Sequence, residues 1–159
     1  AGTLQVTFLY MPPTTIDPTY HTAMWLEDAE GKLVTTLYVS QELSSAEYKM
    51  GNVCPDWVKV ARWDQKPKAE IDAVTAPTPN VGSEARTFDL AQFGVKPGEY
   101  TFKFQMHVHD EHNVLFRGKI TVGGPDQTPK LEKTEGPGEL VSTDQYVREV
   151  QVRYLPAAK

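Results

Sequence analysis

Apolar and polar residues alternate one by one along much of this chain, the period-two pattern of strands that bury one face. Leu4, Val6, Phe8 and Tyr10 alternate with Thr3, Gln5, Thr7 and Leu9, and Met11-Pro12-Pro13 ends that strand because proline donates nothing to a ladder. His21 to Asp28 fits a second strand, Ala29-Glu30-Gly31-Lys32 a hairpin-length connection, and Leu33 to Ser40 the return. The pattern then changes. Glu42 to Met50 reads as a short helix closed by Gly51, and Pro55 to Trp63 as a second one with proline at its first position, although strand alternation also fits there.

Beyond residue 68 the alternation returns. Ala76 to Ser83 reads as an ordered loop, Arg86 to Leu90 as a short strand, and Val95 to Glu99 as a turn. Tyr100–His109 and Val114–Val122 form a hairpin with Val114, Phe116, Ile120 and Val122 facing inward. Gly123 to Glu139 is rich in glycine, proline and charge with no apolar period, so it predicts a long loop before a closing strand from Tyr146 to Leu155. Short strands separated by turn signals predict one all-β sandwich over residues 1–159, with a small helical insertion between 41 and 68.

Composition narrows the function classes. The formal net charge of −5 argues against a nucleic-acid partner, which needs a basic face. No apolar run approaches the roughly 20 residues that span a bilayer. The single cysteine, Cys54, excludes an internal disulfide, a thiol-rich zinc site and c-type haem attachment, and reads as a small, partly buried residue. A blue-copper set with Met50 needs a histidine nearby in the chain, and none is near. Trp25, Trp57 and Trp63 read as core and loop anchors. No Gly-x-Ser-x-Gly, His-Glu-x-x-His or phosphate-cradling glycine loop occurs, so an enzyme has no support. Ala1 running at once into a strand is what an exported chain trimmed after a small residue would show, and decides nothing alone.

The chemically suggestive stretch is Met106-His107-Val108-His109-Asp110-Glu111-His112, which holds three of the four histidines. Strict alternation sends His107 and His109 to the polar face with Lys103 and Gln105, about 7 Å apart by the rise per strand residue. Glu111 follows in phase, and His112 falls in the tight turn. Two neutral imidazoles and a carboxylate suit copper(II), zinc or nickel. His21, at the mouth of the second strand, completes a three-histidine set if the fold brings it alongside. The plainer reading is a solvated hairpin tip, since two histidines do not fill a metal shell.

Four stretches in order carry a family resemblance. They are Ala23-Met24-Trp25-Leu26-Glu27-Asp28 with Gly31-Lys32-Leu33-Val34, the tryptophan-bearing stretch ending at Trp63, Asp72-Ala73-Val74-Thr75-Ala76-Pro77-Thr78-Pro79, and Phe88-Asp89 followed by Lys96-Pro97-Gly98-Glu99-Tyr100. Together, over roughly Tyr20 to Val122, they resemble a bacterial family of predicted periplasmic proteins of unknown function. That family's fold is similar to the Ig-like domain of the flagellar hook-cap protein. The resemblance implies a periplasmic location, an Ig-like sandwich, and an electron-transfer setting near flavin transferases and membrane redox proteins. It also implies an acidic residue and a final histidine on the hairpin strand, which His112 fits.

The stretch from Asp72 to Thr78 further resembles the flavinylation signal of exported flavoproteins. On that reading Thr78 accepts FMN and Asp72 is the recognition residue, although Pro77 and Ala76 stand where that signal has alanine and glycine. The expectation is thus a periplasmic, non-enzymatic binding or accessory protein handling copper or zinc through His107 and His109, with His112, His21 or Glu111 completing the shell. Two alternatives stand beside it: an FMN-carrying electron-transfer domain, and an adaptor docking on a membrane-bound redox or metal-transport protein.

Overall fold

A computed structural model describes residues 1–12, 20–109, 112–136 and 146–158, and at His109 the backbone only. Nine strands form two sheets among them. Strands β1 (Thr3–Tyr10), β5 (Gly82–Asp89) and β9 (Val147–Leu155) make a three-stranded sheet in the order β5-β1-β9. Strands β2 (Thr22–Glu27), β3 (Leu33–Ser40), β4 (Thr75–Ala76), β6 (Gly98–His109), β7 (His112–Val122) and β8 (Glu132–Gly136) make a six-stranded sheet in the order β4-β3-β2-β6-β7-β8. All pairings are antiparallel except β3 with β4. The expected all-β, sandwich-like class is what the molecule has; the Ig-like label rests on the resemblance alone.

The two sheets close on the core that alternation predicts. Leu4, Val6, Phe8 and Tyr10 from β1 meet Met24 and Leu26, Phe102, Phe104, Met106 and Val108, and Val114, Phe116, Ile120 and Val122. Phe104 stands edge-on to both Phe8 and Phe116, with centroids 5.1 and 5.8 Å apart. Strand β9 bulges beside β1, where Glu149 takes a φ of 56°.

The other face of the six-stranded sheet is also covered. Three short helices, α1 (Gln41–Ser45), α2 (Pro55–Ala61) and α3 (Lys68–Val74), are laid over it, so the helical layer runs beyond the expected limit at 68. A second core of Ala23, Trp25, Val39, Leu43, Val53, Cys54, Trp57, Ala61, Trp63 and Leu115 lies between helices and sheet. Strand β2 is therefore buried at every position, on both faces. Each indole N–H is satisfied: Trp25 donates to Glu27 (2.6 Å), Trp57 to the Thr36 hydroxyl (3.2 Å) and Trp63 to the Ser44 carbonyl (3.1 Å).

Several boundaries move. The helix expected over Glu42 to Met50 breaks at Ala46, leaving α1 and a 3-10 turn at Glu47–Lys49. Pro55 does open α2, as its fixed φ predicts. Strand β5 begins at Gly82 rather than Arg86 and ends at Asp89, because the β1 ladder extends over its whole length. Within the expected 123–139 loop, Glu132–Gly136 pairs with β7 as β8; it is too charged to show an apolar period because it is an edge strand.

The indoles of Trp57 and Trp63, tilted against each other with centroids 5.0 Å apart, anchor the second core. Trp57→Ala is expected to lower the unfolding free energy by about 3–5 kcal/mol in urea titration. A loss below about 1 kcal/mol would show that this layer is not packed as described.

Candidate functional site

Strand β6 runs antiparallel to β2, with Thr22 opposite Met106. That register brings the start of β2 beside the end of β6, and His107 N–H donates to the His21 carbonyl at 2.9 Å. The two imidazoles meet side by side. His21 Nδ1 and His107 Nδ1 are 3.4 Å apart, with ring centroids at 5.5 Å. Both residues are buried under the helical layer, so His107 does not belong to a solvated tip. Alternation placed its face correctly, but that face is covered.

The helices supply the surroundings. Glu42 of α1 places Oε2 3.6 Å from His21 Nε2. Burial holds the His21 pKa below the ordinary histidine value of 6.5, against the opposing pull of Glu47 and Glu42. A carboxylate beside Nε2 favours the tautomer with its proton there, which turns the Nδ1 lone pair toward His107.

Cys54 approaches from the far side of the insertion. It takes a left-handed φ of 45° and ψ of 53°, and its backbone N–H donates to Asn113 Oδ1 at 2.9 Å. Asn113 Nδ2 donates in turn to the Asn52 carbonyl (2.8 Å), fixing this unusual turn from both sides. The Cys54 thiol donates to the His21 carbonyl (3.3 Å) and lies 3.7 Å from that of Gln105. It is completely buried rather than partly so, and burial pushes its pKa far up, away from the thiolate a metal requires. Cys54 is thus near the histidines in space although distant in the chain.

Gln105 completes the clasp. Its Oε1 accepts from the backbone N–H groups of Asp56 (3.0 Å) and Trp57 (3.2 Å), and its Nε2 donates to Asp56 Oδ2 (2.6 Å). It is a cap for α2 supplied by the sheet. Its position in phase with His107 was legible; its partner helix was not.

The remaining candidates sit elsewhere. The β6–β7 register shifts by one residue, from His107 opposite Asn113 to His109 opposite His112, so the period-two count does not carry from His107 to His109. His112 is buried inside β7 rather than in a turn. Glu111 and the side chain of His109 lie outside the described residues. Among the described residues no group of three or more His, Cys, Asp or Glu is placed to hold a metal ion. Asp72 is exposed on α3 and pairs with Lys68 at 2.7 Å. Thr78 is half-buried in the coil between β4 and β5, next to Pro77, whose carbonyl accepts from the Tyr38 hydroxyl at 2.6 Å. A groove of about 480 Å³ between β3 and α3, walled by Trp63, Val74 and Phe93, contains none of the histidines.

The site thus sits in a sandwich-like β fold with one sheet face roofed by helices. Residues 5–142 match the family described as "Predicted periplasmic protein (DUF2271)". The chain belongs to that family, and the periplasmic location expected for it is the one the family's description gives. No curated protein and no solved structure matches the chain. Among the described residues no helix is long and apolar enough to cross a membrane.

Because His21 folds with a depressed pKa, the unfolded chain takes up its proton first as pH falls. Metal-free protein is expected to hold the His21 contribution above about pH 6.5 and to lose it progressively as pH drops below that. Urea midpoints at pH 7.5 and 5.5 measure the loss, and His21→Asn should reduce it. An unchanged pH slope in that variant would refute the assignment.

Proposed function

We propose that this periplasmic family member is a non-enzymatic binding or accessory protein that takes a transition-metal ion, copper or zinc, between His21 and His107. The single observation carrying this reading is the 3.4 Å separation of the two Nδ1 atoms. Two imidazole ligands at metal–nitrogen distances of about 2.0–2.1 Å on a tetrahedral ion stand about 3.3–3.4 Å apart. The pair therefore has the spacing of two ligands without rearrangement.

Three features support it. The Glu42 carboxylate stands 3.6 Å from His21 Nε2, where it holds the ring in orientation and raises its basicity. Burial keeps His21 in the neutral form that ligates. In the metal-free protein one Nδ1–H bridges the two rings, so the ion replaces a proton. Two protein imidazoles leave coordination positions open, which suits an ion that is passed on rather than locked in place. A membrane-bound redox or metal-transport protein is the recipient we propose.

Copper or zinc at about 100 times its dissociation constant would add about 2.7 kcal/mol to stability, or roughly 5–10 °C in melting temperature for a chain of this size. Calorimetry of the metal-stripped protein with one equivalent of Cu²⁺ or Zn²⁺ in excess buffer tests this. The double variant His21→Ala with His107→Ala should lose the rise and the stoichiometric binding, whereas His112→Ala should keep both. Retention of metal by the double variant would reject the site.

A further inference from the structure

We propose that the opposite end of the same sheet face holds a binding site for a phosphate group, free or as an ester. Strands β6 and β7 carry His107 and Asn113 at one end and Thr101 and Lys119 at the other, about 20 Å away by the rise per residue. On β6 and β7 no residue of the three helices lines that far end. There a groove of about 390 Å³ is lined by Thr101, Arg117, Gly118, Lys119, Lys130 and Glu132, together with Pro129.

Its charge is unusual for an acidic chain. Three cations face one carboxylate, and Glu132 is bound to Arg117 through Nε at 3.1 Å, leaving the terminal guanidinium nitrogens. Lys119 and Lys130 are exposed and have no ion pair among the described residues. The excess of two positive charges matches a phosphate dianion.

The backbone adds a donor. In an antiparallel ladder a residue directs its N–H and C=O to the same side, and alternate residues share that side. Thr121 N–H donates to Gln127 Oε1 and its carbonyl accepts from Gln127 Nε2, so Thr121 faces away from β6. Lys119, two residues earlier, faces the same way, and β8 pairs with β7 only as far as Arg117. The Lys119 N–H therefore points along the free edge into the groove. The segment from Pro129 to Leu131 closes the far wall against Gly118, where a Cβ would stand 2.6 Å from Leu131 Cδ2. A glycine there lets the wall approach β7. Backbone amide, Thr101 hydroxyl, two lysines and an arginine fork around one small groove are the donors an oxyanion needs.

The test is amide NMR of the whole chain, titrated at constant ionic strength with inorganic phosphate, phenyl phosphate and benzoate. Saturable shifts centred on the Gly118 and Lys119 amides are expected with a phosphate. Lys119→Gln with Lys130→Gln should weaken binding at least tenfold while leaving the melting temperature within about 1–2 °C, since both side chains are exposed. Tighter binding of phenyl phosphate identifies an ester as the ligand, and equal binding identifies free phosphate. No localised shift, equal binding of benzoate, or unchanged binding by the double variant would each overturn the proposal.

Discussion

The structure depends on one constraint: the middle of its six-stranded sheet is apolar on both faces and must be covered twice. The three-stranded sheet covers one side, where its Phe8 packs on Phe104 and Phe104 on Phe116. Helices of five to seven residues cover the other, and helices that short have no stability alone. They exist because the sheet holds them. Apolar burial of Trp25, Trp57 and Trp63 supplies the driving force, and the Gln105 and Asn113 side-chain amides fix the register of helix against strand.

The same constraint creates the histidine pair. A roof over the end of β6 removes water from His107 and from His21 beside it, and buried polar groups need partners. The thiol of Cys54 is directed at the His21 carbonyl, and the imidazoles of His21 and His107 meet at 3.4 Å. Glu42 reaches Nε2 from a largely solvent-exposed side chain, so charge stays at the rim while the neutral nitrogens face inward. Burial, tautomer and spacing are consequences of one packing arrangement.

Much of this was legible in the residues. The alternation of β1 and of the β6–β7 hairpin gave strands and inward faces correctly, because period two is a local property of the pleat. Pro55 announced α2 for a similarly local reason. What escaped was non-local. The eye is drawn to His107, His109 and His112 because they are close in sequence, yet the partner of His107 is His21, 86 positions away. A bulge after His107 interrupts the count on which the His-x-His geometry relied. Strand β8 hid in a charged segment, and α3 in the stretch that resembles a flavinylation signal, because an edge strand and an exposed helix carry little apolar pattern.

Where the helical layer stops decides the chemistry of the sheet face beneath it. Across the strands the face reads Ala23, Gln105, Leu115 and Thr134 in one row, and Trp25, Lys103, Arg117 and Glu132 in the next. In the first row Ala23, Gln105 and Leu115 lie under the roof, where Gln105 caps a helix, and Thr134 on the edge strand is exposed. The second marks the border: Trp25 is still covered, whereas Lys103 and Arg117 take carboxylate partners, Glu27 and Glu132, at 2.9 and 3.1 Å. One step further, Lys119 emerges without such a partner among the described residues. Exposure thus rises along β6 and β7 from the buried imidazole of His107, through the paired Lys103 and Arg117, to the exposed Lys119. Lengthening or shortening the insertion would move that border without altering the sheet, which is how one scaffold could carry the two proposed sites of opposite character.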